Sequence, residues 1–363
     1  MNTSTSRQNP AEWDEGVQLL SHTARDLPTG RHQFHKERLM AQIQQEQRTG
    51  TATDPVKERR FRLPRPAITL PAVAAALTGA VIAVMAMPGG NGAGNGGVAT
   101  GPALTTTIGA ATTKGVPQLL DQISLAAAES SHPAVKPGQY IYIESKTADT
   151  FAKTVGDKTT LASHELHRRQ IWSSPDGTKG WLIDPAVNDG PEGETLSLPD
   201  ELGNPREAGL NSPSYDYLAK LTTDPDELLA MIYKAAEGHG NSLDQQAFTT
   251  IGDLLGESYP PAELYSALFK AAAKIPGVVV VQDAVDAVGR HGVAVARLDE
   301  TSGEREEWIF DRKTHVFLGE RSVQVNKVSG EDAVIKPGTV TFTSAIMKRA
   351  IVDGIKQTPS QAG

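Results

Sequence analysis

The 363-residue chain contains no cysteine. That absence excludes disulfides, cysteine-ligated zinc, iron–sulfur clusters and thiol nucleophiles together. A domain of this length buries enough apolar surface to do without cross-links, so export remains open. Catalytic signatures are missing as well. The glycine-rich stretch after residue 87 is followed by no Gly-Lys-Ser/Thr and preceded by no strand, so it is no phosphate loop. Gly256-Glu-Ser258-Tyr-Pro260 departs from the nucleophile elbow at its last position and falls at a helix end. His164-Glu-Leu-His167 spaces its histidines by three rather than four. It reads as a solvated strand whose positions 164 and 167 face opposite sides. His22, His32 and His35 have neither cysteine nor an i, i+4 histidine beside them and read as surface residues. The carboxylates are scattered. No enzyme, metal or cofactor is expected from these residues.

Charge is absent from residues 67–87, which read AITLPAVAAALTGAVIAVMAM. As a helix at about 1.5 Å per residue this segment spans roughly 31 Å, close to the hydrocarbon thickness of a bilayer. Seven of its residues are Ile, Leu or Val and eight are Ala. The seven contribute roughly -2 to -4 kcal/mol on an insertion scale. Pro71 lies in the first turn, where a missing amide hydrogen costs little. Lys57, Arg59, Arg60, Arg62 and Arg65 precede the segment, and no Lys or Arg follows until Lys114. The positive-inside bias then places the N-terminus in the cytoplasm and the C-terminal domain outside the cell membrane. A buried core helix or a cleaved signal peptide fits less well, given the basic run on one side and 66 preceding residues. Gly79 and Ala83 form a small-xxx-small pair that would let two helices approach in a homodimer.

The two sides of this segment differ in charge. Residues 1–65 carry 11 Lys/Arg against 8 Asp/Glu, and residues 88–363 carry 24 against 35, nets of +3 and -11. An acidic outer domain argues against nucleic acid as its ligand. In the tail, 1–65, Trp13, Val17 and Leu20 share one helical face and Leu39, Met40 and Ile43 another, with a break at Asp26-Leu-Pro-Thr-Gly30. So few large apolar residues cannot order the segment alone. It is read as partly helical or disordered, either folding against a protein partner or resting its basic end on anionic lipid.

Residues 88–115 read as a flexible linker and 116–356 as the outer domain, followed by a disordered tail over 357–363. A helix is expected near 117–130 and strands near 139–145, 164–173 and 179–184, the last two flanking the turn Ser174-Pro-Asp-Gly177. Asp224-Pro-Asp-Glu227, the pair Ser242 and Gln245, and Pro261 each mark a helix start. Four strands near 278–282, 293–298, 306–310 and 316–325 form a meander, and a last strand near 338–343 closes the sheet. This order predicts an α+β fold. A curved antiparallel sheet carries a helical block on one face, preceded by one transmembrane helix and a short helical tail. Arg168, Arg169 and Trp172 offer a candidate ligand or partner surface, as do Trp13, Val17 and Leu20. Trp172, Trp181 and Trp308 otherwise read as core.

The segments Leu27-Pro-Thr-Gly-Arg-His-Gln33 and Glu37-Arg-Leu-Met40, the basic run into an Ala-rich anchor, Trp172-Ser-Ser-Pro-Asp-Gly177, Glu307-Trp-Ile-Phe310 and Gly319-Glu-Arg321 carry a resemblance. Together they resemble a family of actinobacterial single-pass membrane proteins often encoded beside an extracytoplasmic-function sigma factor. That family supplies no catalytic residues. At the level of fold, the outer domain resembles the half-barrel of lipoprotein carriers and periplasmic stress regulators. A tail that cannot order alone, beside an anchor and a large outer domain, suggests a membrane-anchored sensor or regulator whose tail binds a sigma factor or similar partner, without the cysteine-dependent zinc of the familiar anti-sigma domain. An anchored lipid or lipoprotein carrier is the alternative and requires an apolar cavity. A hydrolase would require convergent His, Ser and acidic side chains.

Overall fold

A computed structural model of the chain describes residues 98–130, 133–155, 158–188, 191–196 and 207–359. The expected membrane segment, the basic run, and Trp13, Val17 and Leu20 lie outside the described residues. Among the described residues no helix is long and apolar enough to cross a membrane.

The fold is α+β, with one large antiparallel sheet and a small group of helices. Twelve strands are seen among the described residues: β1 (Thr100–Pro102), β2 (Ala111–Thr112), β3 (Tyr140–Val155), β4 (Lys158–His164), β5 (His167–Ser173), β6 (Gly180–Ile183), β7 (Glu194–Thr195), β8 (Val278–Val285), β9 (His291–Asp299), β10 (Glu304–Phe310), β11 (Phe317–Gln324) and β12 (Val340–Val352). Their order is β2-β8-β9-β10-β11-β12-β3-β5-β6-β7, with β4 paired to β3 and to β1. The meander β8 to β11 forms as the alternation predicts. The last strand does not close an edge. It runs to Val352 and lies in the middle, bonded to β11 on one side and β3 on the other. The stretch beyond Thr343 alternates less regularly because a bulge between Ile346 and Lys348 shifts its register.

The helices are α1 (Val116–Glu129), α2 (Tyr215–Leu218), α3 (Pro225–Ala236), α4 (Leu243–Glu257) and α5 (Ala262–Ala272). Asp224 caps α3 by accepting from the amides of Asp226 and Glu227 at 2.9 and 3.0 Å. Ser242 caps α4 through the Gln245 amide at 3.1 Å. The Gln245 side chain does not return to complete a capping box; it is drawn into the core, as described below. Helix α4 is buried nearly all round, between the sheet and its neighbours α3 and α5. Its Phe248 stacks on Trp308 of β10 with ring centres 3.8 Å apart, and Phe269, Phe310 and Phe317 continue the aromatic layer at 5.5 to 5.6 Å. Each such side chain contributes about 1.5–3 kcal/mol by leaving water, so this layer anchors the domain. Close approach of α4 to the sheet requires Gly252. A Cβ there would sit 2.5 Å from Trp308 Nε1 and 2.8 Å from Glu306 Oε1.

The linker reading of residues 88–115 holds for none of the described part from residue 100 to 112, which forms a strap bonded to the sheet. Pro102, Gly101 and Thr100 pair with β4, Thr105 bridges to Thr339, and Ala111 and Thr112 pair with β8. Small residues let this segment lie close: Gly109 packs on Val281 so tightly that a Cβ would come within 2.8 Å of its side chain. Small, uncharged residues favour a spacer as much as they favour close packing, and only the partner distinguishes the two.

Candidate functional site

The strap ends at the mouth of a groove. Gly115, in the left-handed conformation at φ 86°, turns the chain from β2 into α1. No side chain caps this helix start, and no acidic residue occupies its first turn. Its leading amides therefore keep the partial positive charge of a helix N-terminus. Gln118 and Gln122 of α1 form one wall of the groove, and Gln282, Arg312 and His315 the other, with Lys114 at the end. Val280 and Val293 form the floor. The open space measures about 280 Å³, just below the roughly 300–1,000 Å³ of pockets for drug-sized ligands.

The far wall is held by backbone chemistry. In the turn after β10, Asp311 accepts from the amides of Lys313 and Thr314 at 2.9 and 2.8 Å. The Thr314 and Lys313 amides hold its carboxyl below the usual range. His315 follows at φ 55°, a left-handed conformation that swings its side chain to the groove. Arg312 donates through Nη2 to the Gln282 carbonyl and to Asp283 at 3.2 Å. Both bonds use one nitrogen, so Nε and Nη1 remain as donors.

Two other constellations carry chemistry-bearing residues. At the first, three residues, 164–166, stand opposite two, 148–149, between the pairs Ser163↔Thr150 and His167↔Thr147. This extra residue is a bulge, and it corrects the expectation that His164 and His167 face opposite sides: their rings lie 6.3 Å apart on one face. His164 Nδ1 meets Asp149 at 2.7 Å. His167 meets Asp184 at 3.0 Å through Nε2 and the Glu165 carbonyl at 2.9 Å through Nδ1. Burial opposes charge on His167, but the hydrogen bond and charge of Asp184 outweigh it and raise its pKa. Burial likewise acts against charge on Asp184, and His167 and Arg169 overcome it, so its carboxyl is lowered. With both ring nitrogens engaged, His167 fastens the bulge and is not placed to take a proton from a substrate. Among the described residues no three His, Asp or Glu side chains group as a metal site requires.

The second constellation lies inside the helix–sheet core. Glu306 accepts from Gln245 at 3.2 Å, Thr249 at 2.8 Å and Trp308 at 3.2 Å, while Gln245 accepts from Arg297 at 2.8 Å. Every member bonds another, which makes this network a structural one.

Arg168, Arg169 and Trp172 do not form one patch. Alternation along β5 places Arg168 beside Glu144 at 2.6 Å and Arg169 on the opposite face near Asp184 at 3.4 Å. Trp172 is 1% exposed and donates to the Gln357 carbonyl at 2.6 Å, so no ligand can stack on it. The same strand face holds Tyr142, whose hydroxyl is pushed up to about 12 by burial and by its bond to Glu144. Sequence reading missed the groove because Lys114, Arg312 and His315 come from distant segments. The one visible signal was Lys114, the lone base of residues 88–115. No family model matches the chain, and no curated protein matches it in sequence.

Proposed function

We propose that the chain is a membrane-anchored sensor or regulator. In this reading residues 67–87 span the cell membrane, residues 1–65 face the cytoplasm, and the helix-backed sheet lies outside and receives a signal. The tail is read as the part that engages a sigma factor or another cytoplasmic protein. The observation that favours this over an anchored lipid or lipoprotein carrier is the filled helix–sheet interface. A carrier of the half-barrel type holds its cargo between a curved sheet and its helices. Here Phe248, Trp308, Phe269 and Phe310 are fully buried in that space and touch ring to ring. The groove described above is instead open and lined mainly by polar side chains. A hydrolase finds no support in the His167–Asp184 pair, because both ring nitrogens of His167 are already engaged.

Two measurements test the reading. Protease added to intact cells should cleave beyond residue 115 and leave a membrane-bound N-terminal fragment. Membrane co-purification followed by mass spectrometry should recover a sigma factor or other cytoplasmic protein, in a manner lost on deleting residues 1–65. Recovery of stoichiometric lipid without any protein partner would favour the carrier instead.

A further inference from the structure

We propose that the groove beneath α1 binds a small oxyanion-bearing solute, of the phosphate or carboxylate class. The lining residues of the groove include no Asp or Glu, although residues 88–363 carry 35 of them against 24 Lys/Arg. In an acidic domain, a recess whose lining holds Lys114, Arg312 and His315 and no carboxylate departs from its surroundings, although Asp283 beside it pairs with Arg312. Lys114 and Arg312 line it, and Asp283, outside the lining, is engaged by Arg312 at 3.2 Å and by His291 at 3.2 Å. That engagement uses Nη2 alone and leaves Nε and Nη1 of Arg312 as donors for a ligand. The walls add donors suited to oxygen: the Gln118, Gln122 and Gln282 amides, the His315 ring and the uncapped start of α1. Val280 and Val293 in the lining offer no side-chain acceptor to compete with a bound oxyanion. A volume of about 280 Å³ admits a phosphate, a small phosphomonoester or a di- or tricarboxylate, and not a chain of lipid.

The site is tied to the rest of the molecule through Lys114. This residue follows directly on the strap, and its amide donates to Thr112 Oγ1 at 3.1 Å. An anion drawing Lys114 and the α1 start together fixes the strap's end against β8. Binding itself stands on the groove alone. Its use as the signal rests on the sensor reading of the preceding section.

The test uses the full-length chain purified in detergent. Inorganic phosphate and citrate are titrated by calorimetry, with sodium chloride at matched ionic strength as the control. Saturable binding of either ligand is expected, phosphate alone indicating a compact dianion and citrate alone a polycarboxylate. Each of Lys114→Gln and Arg312→Gln should weaken it about tenfold or more, and Gln118→Glu should abolish it. Lys313→Gln, on the same turn but outside the groove, should bind as the parent does. All four positions are exposed, and circular dichroism confirms that the variants fold. Absence of saturable binding to both ligands overturns the proposal, as does undiminished binding in Lys114→Gln and Arg312→Gln. Neither result bears on membrane anchoring, which the protease experiment reads separately.

Discussion

On the sheet face away from the helices, Glu307 is 0% exposed and lies between Arg305 and Arg321, each 4% exposed. Its Oε1 accepts from Arg305 Nε at 2.8 Å, and its Oε2 from Arg321 Nε at 2.7 Å. Arg305 Nη2 adds a contact at 2.6 Å to the same Oε1, without hydrogen-bond alignment. The strap closes over this group, since Arg321 also donates to Thr106 Oγ1 at 3.4 Å. Replacing Glu307 by Gln keeps the shape and leaves two buried guanidinium groups with no opposing charge. Breaking a buried ion pair in this way costs about 3–5 kcal/mol, a large part of the ~5–15 kcal/mol that holds a domain folded. The assay is urea unfolding of the full-length chain, followed by the fluorescence of the buried tryptophans. With a slope of about 2–3 kcal/mol per molar urea, the midpoint should fall by roughly 1–2.5 M. A companion variant, Arg305→Met with Glu307→Leu and Arg321→Met, removes all three charges and should unfold near or above the parent midpoint. A loss below about 1 kcal/mol in Glu307→Gln would refute the reasoning, because water would then have to reach the triad beneath the strap. So would a triple variant as unstable as the single one.

Other outcomes follow from the same contacts. The raised His167 pKa stabilises the fold fully below the unfolded histidine value of about 6.5 and is lost as pH climbs through the folded value. Asp184, lowered, contributes at the acid end, since its contribution disappears as pH falls through the carboxylate range. Thermal unfolding from about pH 5 to about pH 8.5 should therefore show a decline at the alkaline end that His167→Gln removes. Gly252→Ala should destabilise by about 1–3 kcal/mol through the clash with Trp308, although helix propensity alone favours Ala by about 1 kcal/mol. A gain in melting temperature would mean that α4 stands further from the sheet. Ser242→Ala should cost about 1 kcal/mol through loss of the α4 cap, measured by the same melts.

What the sequence made legible was local. Asp224 and Ser242 announced their helices because a side-chain oxygen reaches only the next turn. Strands β8 to β11 showed themselves by β-branched and aromatic runs between turns. Features set by distant partners did not show. His164 and His167 share a face only because a bulge re-phases β4 and β5 against β3, and strict alternation puts them apart. Gln245 resembles a capping residue, yet its amide is claimed by Glu306 and Arg297 from strands more than 50 positions away. Residues 100–112 have a spacer's composition, and only pairing to β4 and β8 makes them a strap. The groove assembles from three such distant pieces.

The central position of β12 governs how the domain can be made. Until Val340–Val352 is in place, the meander and the N-terminal hairpins are two half-sheets, each with a bare flank. Pairing Tyr140 with Val352 closes a loop of some 200 residues, a slow step by contact order. Exposed flanks of this kind are templates for aggregation while that step is pending. Translation stops shortly before β12 should thus yield insoluble fragments, and a holding chaperone should be most useful in the interval before the sheet is joined.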